Sequence, residues 1–159
     1  RVLGEYVDSV RFLVSGALRF VVASPEIRVR TAEARRILPA RLEFAEVVQS
    51  LNSLAYLVSI FAKGDYHRLG GSTTDHILQP FRRSLNPFVD EAVAAGIDAG
   101  AYTGWLSGSG SSVVCAAPEN RALAVRDALV ELYRVHDIPC RAKSVLAENE
   151  GFRVVKTGS

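Results

Sequence analysis

Phe44, Val47, Val48, Leu51, Leu54, Val58 and Phe61 recur every three to four positions, while Glu43, Glu46, Gln49 and Asn52 fall between them. That period lines one face of a helix, and Gly64 can take the left-handed conformation that closes one, so the pattern predicts a long amphipathic helix over 42–63. Ala122, Val125, Leu129 and Leu132 repeat the same period and predict another over 118–136. Two β-rich runs in 6–24, YVDSVRFLVSGALRFVVAS, flank Ser15-Gly16 and predict a hairpin closed by Pro25. Residues 99–106 and 112–117 predict an antiparallel pair, and 141–146 and 152–155 read as closing strands.

Shorter helices are signalled by their ends. Thr31 is a candidate N-cap, with Glu33 in the first turn, an apolar stripe at Ala34, Ile37 and Leu38, and Pro39 as the stop. Gly70 to Thr74 reads as a loop, and Asp75 to Arg83 as a helical segment that Pro80 must kink. Asn86-Pro87 predicts a further helix start, with Asp90 and Glu91 early and Gly96 just past the end. Strands and helices mix without strict alternation. The expected class is α+β: an antiparallel sheet with helices packed on one face, in a single domain over 1–159.

Composition narrows the function classes. A hydrophobic content of 48% excludes disorder, and a net charge of +2 does not demand nucleic acid. Arginines at 28, 30, 35, 36 and 41 could line an RNA-binding face, but no aromatic-rich strand of the kind that stacks bases accompanies them. Cys115 and Cys140 sit in apolar runs, which suits buried thiols in a reducing cytoplasm better than a disulfide. No apolar run is read as approaching the ~20 residues that span a bilayer, and the first residues do not resemble a signal peptide. His67, His76 and His136 lack metal-ligand spacing. The chain contains no methionine, which suggests a piece of a longer protein.

The chemistry concentrates in GWLSGSGSSVVC, residues 104–115. A Walker loop is excluded because no lysine lies between Lys63 and Lys143. A dinucleotide fingerprint fails at Val113, where a third glycine belongs, and a nucleophile elbow fails because Ser107 precedes Ser109 by two. Two readings stay open: a hairpin connection, or a patch of bare amides formed by Gly104, Gly108 and Gly110 that can hold an anion.

Gly104-Trp105-Leu106-Ser107-Gly108-Ser109-Gly110-Ser111-Ser112 resembles the third signature motif of the GHMP small-molecule kinases, G-x-x-L-S-G-x-G-P-S, with Ser111 where proline is usual. Thr31 to Pro39, TAEARRILP, is similar to a helix opening of the homoserine kinases within that family, and Asp75 to Arg82, DHILQPFR, to their second arginine-bearing segment. The resemblance runs from about Asp8 to Val155, with Ser50 and Gln79 standing where many members carry asparagine and glutamate.

It implies the ferredoxin-like C-terminal domain of such an enzyme, which transfers the γ-phosphoryl group of ATP to the hydroxyl of L-homoserine in threonine biosynthesis. Arg35 and Arg82 are then the contacts to the substrate carboxylate, since a guanidinium matches a carboxylate with two parallel hydrogen bonds. Ser107, Gly108, Ser109, Gly110, Ser111 and Ser112 form the motif loop. The P-x-x-x-G-L-G-S-S nucleotide motif is absent from these residues. The resemblance therefore assigns ATP and Mg2+ mainly to an N-terminal half, places no catalytic group in this one, and leaves the chain alone inactive. It also implies a homodimer, with neither nucleic acid nor membrane as partner. Asp75 is expected to hold the kinked segment, by capping or by an ion pair, rather than to do chemistry. Another GHMP kinase with a different alcohol substrate, or a stand-alone binding or regulatory module of the same fold, are the alternatives.

Overall fold

The computed structural model describes residues 2–4, 6–71 and 74–152. Short strands β1 (Val2–Leu3) and β2 (Tyr6–Val7) pair with each other. The main sheet holds β3 (Leu18–Pro25), β4 (Thr103–Leu106), β5 (Val113–Pro118) and β6 (Cys140–Val145), in the order β4-β5-β3-β6. Every neighbouring pair in it is antiparallel, with Val21 opposite Cys115 on one side and Ser144 on the other.

The helices are α1 (Thr31–Arg36), α2 (Phe44–Lys63), α3 (Gln79–Arg82), α4 (Val89–Asp98) and α5 (Ala122–Val135). Single 3-10 turns cover Tyr66–Gly71, Arg83–Leu85 and Glu119–Arg121. The α+β class and the antiparallel sheet follow the expectation, with α4 and α5 on one face while α2 covers part of the other. Val21 and Ala23 of β3 and Val113, Cys115 and Ala117 of β5 face α4 and α5, packing with Val89, Ala92, Val125, Leu129 and Tyr133. Because strand side chains alternate, Leu18, Phe20 and Ala116 point to the other face, where Ile60 and Phe61 of α2 join Tyr66 and Leu69. Burial on both faces explains why β5 reads as the nearly unbroken apolar run VVCAAP.

Five details depart from the sequence reading. The hairpin over 6–24 does not form, because both edges of β3 are taken by β5 and β6. Ser15 instead makes a local turn, its carbonyl accepting the Leu18 amide and its hydroxyl the Ala17 amide, while its own amide donates to the Tyr66 hydroxyl. Thr31 is the first helical residue of α1 and Arg30 stands at its N-cap, without a side-chain cap. Asn86 does lead into α4, but the helix begins at Val89, two residues after Pro87. Gly96 lies inside α4 rather than past its end, since the helix continues to Asp98. Finally, α2 is long and apolar enough by composition to cross a bilayer, although its Ile60 packs beneath the sheet. The closing strand expected over 152–155 falls outside the described residues except at Phe152, which is in no element.

The long helix ends as expected, with Gly64 at φ 72 and its amide bonded back to the Ile60 carbonyl. Its outer stripe of Phe44, Val48, Leu51 and Val58 is exposed, Phe44 by 82%. Each large apolar side chain left in water forgoes about 1.5–3 kcal/mol of burial.

Candidate functional site

Segment 75–86 and the glycine loop 107–112 meet at the end of β4. Asp75 starts the segment as anticipated. Its Oδ1 accepts the amides of Ile77 and Leu78 at 2.8 and 3.0 Å, and its Oδ2 accepts that of Gln79 at 3.0 Å. These donors would otherwise be orphans at a helix start that contains Pro80. On the other side, the Ser50 hydroxyl accepts the His76 amide at 3.1 Å and ties the segment to α2.

Three side chains of the segment then reach the loop region. Gln79 Oε1 accepts the Leu106 amide at 3.1 Å. Arg82 Nη1 donates to the Gly108 carbonyl at 2.8 Å. Asn86 Nδ2 donates to the Ser111 carbonyl at 2.8 Å. The loop closes on itself as well: the Ser107 amide donates to the Ser112 carbonyl at 2.8 Å and the Gly110 amide to the Ser107 carbonyl at 3.0 Å. Gly108 holds φ 59 while Ser109 does not take a positive φ, the pattern of a type II′ turn with glycine first. The Ser112 hydroxyl lies 3.1 Å from that of Ser24.

The three glycines do not form one bare patch. Gly104 is buried in β4, where an added Cβ would stand 2.8 Å from Cys115 Sγ and 3.2 Å from Val93. Only Gly108 and Gly110 belong to the open loop. No hydrogen bond satisfies the amides of Gly108, Ser109 or Ser111 among the described residues. The loop is therefore both a hairpin connection and a set of available donors, and the two readings are compatible.

A cleft of about 110 Å³ opens between the two pieces, lined by Asp75, Leu78, Gln79, Arg82, Leu106 and Gly108. Arg82 Nε is buried at this point with no hydrogen-bond partner among the described residues. A guanidinium N–H left without an acceptor is costly to bury, and an anion in the cleft would relieve it. Beside the cleft, a larger and mostly apolar cavity of about 480 Å³ runs between α2 and the sheet, bounded by Leu54, Leu57, Phe61, Trp105 and Gln79. Trp105 of β4 is half-buried against the α2 side.

Arg35 does not share this site. It is exposed on α1, whose buried residue is Ala34, and it does not line the cleft. The sequence reading missed Asn86 as more than a helix starter and Gln79 as a loop contact. Gln79 and Arg82 stand three apart on α3 and so share a face, whereas Asn86 follows the 83–85 turn in extended backbone and its contact had no signal in the spacing.

Metal binding finds no donors here. Among the described residues no group of three His, Cys, Asp or Glu side chains could hold an ion, and both oxygens of Asp75 are occupied by backbone amides. His136 instead contacts Glu91 at 3.1 Å and lies against the Phe88 ring.

Comparison with known proteins agrees with this geometry. The family model described as GHMP kinases C terminal matches residues 56–135. The homoserine kinase of Caldanaerobacter subterraneus subsp. tengcongensis is 33% identical over 141 residues, covering 88% of this chain and 45% of the relative. That of Moorella thermoacetica is 32% identical over 152 residues, covering 96% and 51%. The crystal structure of homoserine kinase from Cytophaga hutchinsonii superposes with a TM-score of 0.85 at 27% identity, over 89% of this chain and 45% of that one. The chain thus spans about half the length of the curated relatives it matches. With the family match covering α4, the glycine loop and α5, and the four-stranded sheet shared with a solved relative, the chain belongs to the GHMP kinases and carries their C-terminal domain.

Proposed function

We propose that this chain is the substrate-binding, C-terminal part of a homoserine kinase, which moves the γ-phosphoryl group of ATP onto the hydroxyl of L-homoserine. The observation that carries the reading is Arg82, a guanidinium with a buried unpartnered Nε in a cleft beside free loop amides. Curated homoserine kinases related over 88% and 96% of the chain supply the substrate class. Phosphoryl transfer asks a protein chiefly for positioning and for stabilisation of charge, and fixed amides with an arginine provide both.

In this reading Arg82 grips the homoserine carboxylate with the donors that Gly108 leaves free. The amides of Gly108 and Ser109 face the anionic side of the reaction. ATP falls to a second half of the enzyme, and the exposed apolar stripe of α2 supports such a half, since it offers a face for one to cover. A magnesium ion would serve the ATP phosphates, and no group of acidic side chains among the described residues is arranged to hold it. The free thiols Cys115 and Cys140 support a cytoplasmic location.

The test is ADP release by the full-length protein with ATP and a panel of alcohols. Turnover with L-homoserine far above that with other small alcohols is expected. Preference for a different alcohol would move the assignment to another GHMP kinase, and no turnover with any would favour a binding or regulatory module. The 159-residue chain by itself is expected to show none.

A further inference from the structure

Asn86 is fully buried and sits where the 3-10 turn at 83–85 passes into α4. Its side chain uses nearly all of its hydrogen-bonding capacity. Nδ2 donates to the Ser111 carbonyl at 2.8 Å and to the Tyr133 hydroxyl at 2.9 Å, and Oδ1 accepts the Phe88 amide at 3.1 Å. Tyr133 is itself fully buried on α5, edge-on to Phe88. The far side of the glycine loop is thereby fastened through one amide side chain to the packed core of α4 and α5. Together with Gln79 at Leu106 and Arg82 at Gly108, the segment holds the start, tip and exit of the loop.

The held groups are carbonyls, and this has a geometric consequence. In a trans peptide the C=O and the following N–H point in opposite directions. A Gly108 carbonyl drawn to Arg82 turns the Ser109 amide away from the segment, and a Ser111 carbonyl drawn to Asn86 does the same to the Ser112 amide. Neither amide has a partner among the described residues. Donors fixed in advance need no reorganisation when charge develops near them.

We propose that Asn86 is a positioning residue for phosphoryl transfer: by tying the Ser111 carbonyl to Tyr133 it fixes the exit of the glycine loop, and with it the loop's place against Arg82. The proposal rests on the phosphotransferase reading given above. Plain core packing is the competing role, and it differs in what it leaves intact.

The test uses Asn86→Asp in the full-length protein, which keeps the side-chain shape and the acceptor for Phe88 but removes the donors. Expected are a loss in kcat of at least about tenfold with KM for homoserine changed less than about twofold, and amide exchange at Ser107 and Gly110 faster by about tenfold while α5 amides keep their protection. Tyr133→Phe should lower thermal stability but leave both loop readouts closer to wild type, because the Asn86 bond to Ser111 survives. Asn86→Ser, which keeps one short donor, replaces the aspartate variant if that does not fold.

A folded variant with wild-type loop exchange and wild-type kcat overturns the proposal. So does exchange that accelerates equally in the loop and α5, or failure of both Asn86 variants to fold, since each marks a residue of the fold. If the wild-type protein phosphorylates no alcohol, the enzyme reading fails, while loop exchange still decides whether Asn86 holds the loop.

Discussion

Gly96 of α4 lies against Cys115 of β5 so closely that a Cβ on the glycine would stand 2.6 Å from the cysteine sulfur. The sulfur has little room to retreat, because a Cβ at Gly104, on the neighbouring strand, would come within 2.8 Å of the same atom. Gly96→Ala gains about 1 kcal/mol of helix propensity, yet overpacking a rigid core costs about 1–3 kcal/mol, so a net loss of stability is expected. Adding Cys115→Ala should recover part of that loss. A double-mutant cycle read by urea denaturation measures it, and strictly additive effects would contradict the contact.

Burial pushes the Cys115 thiol up from 9.0 to about 12. The folded protein keeps its proton where the unfolded chain releases it, so this contribution to stability is fully present below about pH 9 and is lost as pH rises toward 12. Denaturation midpoints measured on either side of that lower limit should fall less steeply with pH in Cys115→Ala than in wild type. At neutral pH, Cys115 should also resist a thiol reagent in the native state and react once the chain is unfolded.

Gly108 and Gly110 differ in what they tolerate. Gly108 has φ 59 and nothing within 4 Å of a new Cβ, so only backbone strain opposes a side chain there. Gly108→Ala should lose about 1–2 kcal/mol and Gly108→Asn somewhat less, since positive φ strains any side chain but asparagine least. At Gly110 a Cβ would lie 3.0 Å from the Ser107 carbonyl and 3.4 Å from the Ser112 nitrogen, against the bond that closes the turn. Gly110→Ala should therefore reduce turnover of the full-length protein more than Gly108→Asn does, which parallel thermal melts and rate assays will check.

Arg82 and Arg35 separate in one kinetic experiment. Arg82→Leu removes a charge-assisted contact of roughly 1.5–3 kcal/mol, which predicts a rise in KM for homoserine of about ten- to a hundredfold. Because Arg82 also holds the Gly108 carbonyl, kcat should fall with it. Arg35→Leu, from an exposed position outside the cleft, should change KM alone if α1 contributes to the carboxylate site and change nothing if it is surface charge. Arg36→Leu and Arg83→Leu are controls; the Arg83 pair with Asp90 at 3.3 Å is exposed and worth at most about 1 kcal/mol. Equal KM values across all four variants would remove the support for the carboxylate role.

The sequence by itself determined the elements whose signals are local. The period of α2, its Gly64 terminator, the period of α5 and the strand pair around the glycine loop are written in side-chain spacing, and Asp75 could be read as a cap from its place before Pro80. The motif loop and Arg82 were legible because resemblance to a family preserves order and spacing. What only the tertiary structure decided depends on partners distant in the chain. The run before Ser15 is as β-rich as the one after it, but β3 has two edges and β5 and β6 occupy both. Gly96 looks like a helix terminator until the sulfur of Cys115 is packed against it. Asn86 looks like a cap, and its grip on Ser111 and Tyr133 exists only because the fold brings residues 25 and 47 positions away into hydrogen-bonding reach. Local propensity is a property of a short stretch and can be read from it; competition for a strand edge, the room beside a sulfur and the partner of a buried amide are properties of packing, and packing is settled by the whole chain at once.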